Sequence, residues 1–181
     1  MRIAVTGTPG TGKTTATNLF ASRRAEADRD EARPGLEVIH LNSVLEDEAF
    51  YTDIDADRDS VVADLEALGE WLEGRDDVVI ESHLAHHFDA DRVAVLRCHP
   101  ETLADRLLER GESERKAREN AESEALDVIL SEAVAEHDRA SVFEIDTTDR
   151  DPEGVADDLA AVAAGTREPS AGDVDFVGYL T

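Results

Sequence analysis

The chain has 181 residues, 43 of them acidic and 18 basic, for a formal net charge of −25. That charge excludes a broad grip on nucleic acid, because polyanions repel one another. No apolar run is long enough to span a membrane, and the single cysteine, Cys98, excludes an internal disulfide.

The length predicts one domain over 1–181, and an apolar content of 41% allows it a sizeable core. Only Lys13 and Lys116 are lysines, and acids run along the whole chain. Such a composition resembles that of cytoplasmic proteins from salt-accumulating halophiles, where molar salt screens self-repulsion. The competing reading is an acidic protein that docks on a basic partner. No leader is expected ahead of Ile3–Thr6. With a lone Cys98, read as a small buried residue, this points to a reducing cytoplasm.

In chain order, residues 2–6 form a short apolar strand. Residues 7–14, Gly-Thr-Pro-Gly-Thr-Gly-Lys-Thr, are a P-loop pattern, and a helix over 13–28 follows. After a break at 33–35, a strand spans 36–41, with Asn42 or Ser43 as the next helix cap. Residues 51–59 read as an aspartate-rich loop, and 60–73 as an amphipathic helix through Val61, Val62, Leu65, Leu68 and Leu72. Strands are predicted at 77–81 and 93–96. Helix 100–109 opens on Pro100. Past Gly111 a long helix runs over 113–137, then a strand over 141–145 and a helix over 152–164. The tail 166–181 is either loose or docked through Phe176, Val177, Tyr179 and Leu180. Alternating strands and helices predict an α/β fold, a mostly parallel sheet with helices on both faces. The P-loop would then lie at the carboxyl edge of that sheet.

Each part of the P-loop has a mechanical job. Gly7, Gly10 and Gly12 let the backbone turn with its N–H groups inward. Lys13 reaches β- and γ-phosphates, and the Thr14 hydroxyl can ligate Mg²⁺. The alternative is a glycine-rich turn with no ligand.

Glu81 ends the apolar strand Val78-Val79-Ile80, where P-loop enzymes keep a second Mg²⁺-coordinating acid. The alternative is a strand-end acid facing water. His83 is placed to orient an acceptor. His83, His86 and His87 also raise a zinc site, but no cysteine is near and the spacing matches no familiar site. Surface or lid-packing roles are the reading taken for His86 and His87.

Arg106, Arg110, Arg115, Lys116 and Arg118 concentrate positive charge beside the hinge-like Gly111. They read either as a phosphate grip that opens and closes or as partners lacing a solvated helix at i,i+4 spacing. The lacing pairs would be Arg110–Glu114, Glu112–Lys116 and Glu114–Arg118.

Three stretches together carry a resemblance. They are Gly-Thr-Pro-Gly-Thr-Gly-Lys-Thr-Thr at 7–15, Glu81-Ser82-His83, and Arg-Gly-x-Ser-Glu-x-Lys-x-x-x-Asn at 110–120, with Glu124 beyond. Over residues 2 to about 137 the chain resembles the adenylate kinase isoenzyme 6 family. That resemblance implies a nucleoside monophosphate kinase fold with an NMP flap at about 40–63 and a lid at about 109–119. It implies weak ATP-Mg²⁺-dependent phosphoryl transfer to AMP beside ATP hydrolysis. It also implies a role in small ribosomal subunit maturation, through a small-subunit ribosomal protein. Carried across, Gly10, Gly12, Lys13, Thr14 and Thr15 hold the ATP phosphates, with Arg110 as the lid arginine. Lys13, Arg110 and His83 become the catalytic set, and Thr14 and Glu81 the Mg²⁺ ligands.

Three departures accompany the resemblance. The family usually has aspartate at the place of Glu81 and tyrosine at the place of Glu112. The stretch from His40 to Asp57 holds no arginine or lysine, which leaves Arg58 to meet an AMP phosphate. Two rivals stand beside an adenylate kinase. One is an assembly factor whose nucleotide cycle gates a ribosomal-protein contact, and the other a kinase for another small molecule.

Overall fold

A computed structural model describes residues 1–27, 35–55 and 60–180. Its centre is a five-stranded sheet of β2 (Glu37–His40), β5 (Val78–Glu81), β1 (Arg2–Thr6), β6 (Arg92–Arg97) and β7 (Val142–Asp146), in that spatial order. Every pairing is parallel, so all five carboxyl ends meet at one edge. The chain leaves β1 for β2 on one side and later crosses to β6 on the other. That switch opens a crevice at the carboxyl edge, where α/β sheets bind ligands.

Alternation along the strands divides the core. Ala4, Ile80, Val93 and Val95 face Leu41, Leu68, Leu72 and Leu130. These come from α2 (Leu41–Asp47), α3 (Leu65–Leu72) and α6 (Val128–Glu136). Ile3, Val5, Val79, Ala94 and Leu96 face the opposite layer, Phe20, Val155, Leu159 and Val162. This layer comes from α1 (Lys13–Ala27) and α7 (Pro152–Ala164). Truncating a fully buried leucine such as Leu72 to alanine would cost about 2–5 kcal/mol.

The structure corrects several sequence expectations. The helix predicted from residue 60 begins at Leu65, where the Asp64 carboxylate accepts from Ala67 N at 3.0 Å. Residues Ser60–Ala63 instead form β4, antiparallel to β3 (Tyr51–Asp55). Adjacent valines suit a pleated strand, and Val61 and Val62 are exposed rather than on a helical core face. Part of the aspartate-rich loop is therefore strand, while 56–59, including Arg58, lie outside the described residues. Helix α2 starts at Leu41, with His40 rather than Asn42 or Ser43 as its cap.

The long helix predicted over 113–137 is two, α5 (Glu114–Ala125) and α6, broken at Asp127 with φ +54°. Aspartate is among the few residues that tolerate this conformation. The buried Arg97 guanidinium holds it, pairing with Asp127, Glu124 and Glu144. Burial works against the Arg97 charge, but the carboxylates of Glu124 and Asp127 outweigh it and raise its pKa.

The tail through residue 180 docks on β7. Glu144 accepts from the backbone N–H groups of Gly172 at 2.6 Å and Asp173 at 2.8 Å. Phe176 meets His99 edge-on, while Val177 and Leu180 stay exposed. No described helix is long and apolar enough to cross a membrane.

Candidate functional site

The loop between β1 and α1 lies at the carboxyl edge, between the ends of β5 and β6. Gly7 has φ +137°, and a Cβ there would lie 2.3 Å from the Leu96 carbonyl oxygen. Only glycine fits so close an approach. Gly10 and Gly12 also take positive φ, at +98° and +87°.

The loop is tied internally and to its neighbours. Thr11 Oγ1 donates to Thr8 O at 2.9 Å, and the Thr8 hydroxyl donates to Glu124 of α5. Lys13 is nearly buried, and its Nζ donates to Gly7 O at 2.7 Å and Thr8 O at 3.1 Å. Burial lowers its pKa to about 8, against the attraction of Glu81 and Glu124. An ammonium folded onto backbone carbonyls can swing to a stronger anionic partner. Thr14 and Thr15, on the first turn of α1, are exposed.

Glu81 is nearly buried at the end of β5. Thr14 Oγ1 lies 3.3 and 3.4 Å from its two carboxylate oxygens. This set of hard oxygen donors fits Mg²⁺, which binds through few carboxylates and keeps several waters. His40 Nδ1 lies 2.6 Å from Glu81 Oε2 and fixes the carboxylate. Sequence reasoning missed that role for His40. The two residues are in register on adjacent parallel strands, and strand adjacency leaves no local signal.

Lys13, Thr14, Glu81, His83 and Arg110 line one cavity of about 200 Å³. Burial, and then Lys13, lower the His83 pKa to about 4, so its imidazole is neutral at ordinary pH. A second cavity of about 490 Å³ shares Gly10, Gly12, Thr15 and Arg110 with the first, and adds Arg106 and Pro152. The two spaces therefore meet over the P-loop. Arg106 donates to Thr147 O at 2.9 Å and Thr148 O at 3.1 Å, clamping the loop after β7.

The other basic residues separate by role. Among the described residues, the Arg110 side chain at the end of α4 (Pro100–Glu109) makes no ion pair. The Arg110–Glu114 and Glu114–Arg118 pairs do not form. Instead Lys116 pairs with Glu112 at 3.0 Å, Arg115 with Glu119 at 3.7 Å and Arg118 with Glu122 at 3.8 Å. These lace α5. His86 is buried beside Thr6 and Glu132, contrary to a surface role, while His87 is half-buried against Glu136.

Comparison with known proteins fits this architecture. An AAA domain model matches residues 3–127. A protein of Natronomonas pharaonis named "Putative adenylate kinase" is 56% identical over 180 residues, covering 99% of this chain and all of the relative. One of the same name from Halobacterium salinarum is 53% identical over 181 residues, with the same coverage. Among solved structures, a shikimate kinase from Acinetobacter baumannii aligns with a TM-score of 0.62 at 13% identity, covering 92% of this chain and 94% of its own. A shikimate kinase from Bacteroides thetaiotaomicron gives 0.58 at 18% identity, covering 91% and 98%. At these identities the likeness is one of fold, a P-loop α/β sheet of the nucleoside monophosphate kinase type. The glycine turn, its lysine and the parallel sheet that presents them thus place this chain in the AAA-domain family of P-loop proteins, alongside its Natronomonas and Halobacterium relatives.

Proposed function

We propose that this protein transfers the γ-phosphoryl of ATP to AMP, as an enzyme of the adenylate kinase isoenzyme 6 type. The observation that carries this reading is the pair of cavities meeting over one P-loop and sharing Arg110. ATP takes the larger cavity, its phosphates crossing Gly10, Gly12, Lys13, Thr14 and Thr15. The acceptor enters the smaller one, between the flap at about 40–63 and the lid at about 109–119. Lys13 and Arg110 stabilise charge on the transferring group. Thr14 and Glu81 hold Mg²⁺, which supplies charge neutralisation at the phosphates. A neutral His83 accepts a hydrogen bond and orients the acceptor. AMP suits such a site, because its phosphate is already anionic and needs no strong base. The relatives' names support the same reading.

The test is product analysis from ATP and Mg²⁺ in high KCl, with and without AMP. Expected is ADP formation accelerated by AMP, one AMP consumed per ATP. ADP formed at the same rate with AMP untouched would leave ATP hydrolysis alone. Arg58→Ala should raise the KM for AMP by about one to two decades, the loss of one charge-assisted bond.

A second reading has its own support. Glu46, Asp47, Glu48 and Asp53 are exposed around the α2–β3 turn, and no lysine or arginine lies among the described residues 40–63. That surface suits a basic polypeptide, as expected of an assembly ATPase acting on a small-subunit ribosomal protein. Under this reading a basic ribosomal protein changes the ATPase rate more than AMP does.

A further inference from the structure

The 3₁₀ turn Ala85–His87 meets α6 beside the last residue of β1, in a place the phosphate chemistry does not use. His86 is 1% exposed. Its Nδ1 lies 2.9 Å from Thr6 Oγ1, and its Nε2 lies 3.1 Å from Glu132 Oε2. The His87 ring sits beside it, centroids 4.1 Å apart, with Nδ1 2.8 Å from Glu136 Oε1. His137 Nε2 lies 2.7 Å from the His86 carbonyl oxygen and pins the turn. One donor atom from each of His86, His87 and Glu132 falls within 4.8 Å of the others.

The Thr6 hydroxyl also lies 3.3 Å from the His83 carbonyl oxygen. With its hydrogen directed there, Thr6 Oγ1 accepts from His86 Nδ1–H and the Nε2 lone pair faces Glu132; with its hydrogen on Nδ1, Nε2–H donates to Glu132 instead. A metal ion bound between Nε2 and Glu132 Oε2, 3.1 Å apart, would take the place of a proton on Nε2.

We propose that His86, His87 and Glu132 form a second metal site, for a divalent ion of the zinc class, with Glu136 orienting the His87 ring. Tetrahedral zinc bonds of roughly 2.0–2.1 Å set ligand atoms about 3.3 Å apart, close to the present His86–Glu132 spacing. No spacing among the three ligand atoms exceeds 4.8 Å, so closing the site needs a movement of at most about 1.5 Å, at the partly exposed His87 and Glu132. Two imidazoles and one carboxylate suit zinc or cobalt rather than Mg²⁺ or Ca²⁺. A hydrogen bond donated by the second ring nitrogen, here from His86 Nδ1 to Thr6 Oγ1, is how metal-bound histidines are oriented. The ion would brace α6 against the turn that follows β5, behind the P-loop strand. This proposal does not rest on the reaction proposed above.

The test is a Co²⁺ titration of the whole protein in molar KCl with excess Mg²⁺. Expected is one ion per chain with the visible absorption of a tetrahedral site. Glu132→Gln and His87→Gln should each weaken binding at least tenfold, roughly the 10–100-fold loss known for outer partners. Glu81→Gln should leave it unchanged. Zn²⁺ should raise the melting temperature of the wild type and not of Glu132→Gln. Glu132 is half-exposed, so that variant decides alone if His87→Gln fails to fold. Absence of the absorption band, binding intact in both variants, or loss in Glu81→Gln would each overturn the site.

Discussion

Lys13 carries the heaviest chemical demand of any residue here, since it is buried, cationic and tied only to neutral carbonyl oxygens. Lys13→Ala removes a cation that forms no carboxylate pair, so the fold should hold while ATP turnover falls by about 10²–10³-fold. A coupled ADP assay beside a thermal melt checks both halves, and a variant keeping most of its turnover would remove Lys13 from the mechanism. Cys98 makes a different prediction. Burial raises its thiol pKa from 9.0 to about 11. A raised acid contributes stability that is present below about pH 9 and lost as pH climbs towards 11. Thiol labelling at pH 8 should therefore be negligible in the folded protein and follow unfolding. Rapid labelling under native conditions would show the thiol to be accessible.

At the scale of elements, the segment from α4 to α6 joins the candidate nucleotide site to the core. Gly111, with φ +90°, follows Arg110 and precedes the Ser113 cap of α5. We expect a non-hydrolysable ATP analogue at about 100 times its Kd to slow hydrogen exchange over residues 106–120, by up to about 100-fold. Unchanged exchange there would reduce Arg110 to a surface charge. The far end of α5 is fixed by Arg97, which serves three carboxylates from α5, the α5–α6 break and β7. Arg97→Met leaves those charges buried or half-buried without their cation, and should destabilise the protein by about 3–5 kcal/mol or more. Denaturant melts measure this, and a loss under about 1 kcal/mol would mean the carboxylates are not held as charges.

For the whole molecule the governing quantity is the net charge of −25. Ion pairs such as Arg23–Asp157, Arg115–Glu119 and Arg118–Glu122 join exposed side chains and offset little of the repulsion it causes. The described tail adds acids while it packs on β7. Raising KCl from dilute buffer to the molar range should therefore raise the melting temperature by about 10 °C, roughly 2.5–5 kcal/mol for a domain of this size. A melting temperature flat across the series would contradict self-repulsion as the limit on stability.

The sequence by itself determined the P-loop, the alternation of strands and helices, and the place of Glu81 at the end of a buried strand. Each is written in contiguous residues whose chemistry has one local solution: glycines for a tight turn, valines for a buried strand, Pro100 to open a helix. What it misread, it misread where distant residues compete with local pattern. The 113–137 segment has helical periodicity throughout, yet Arg97 breaks it at Asp127. Residues 60–63 lie in a helical pattern, yet pairing with 51–55 makes them a strand. His40 beside Glu81, Glu124 on Thr8 and Glu132 facing His86 were decided only by tertiary structure. Those contacts join residues 41 to 116 positions apart, across strand order and helix packing, and no spacing along one chain encodes which strands become neighbours.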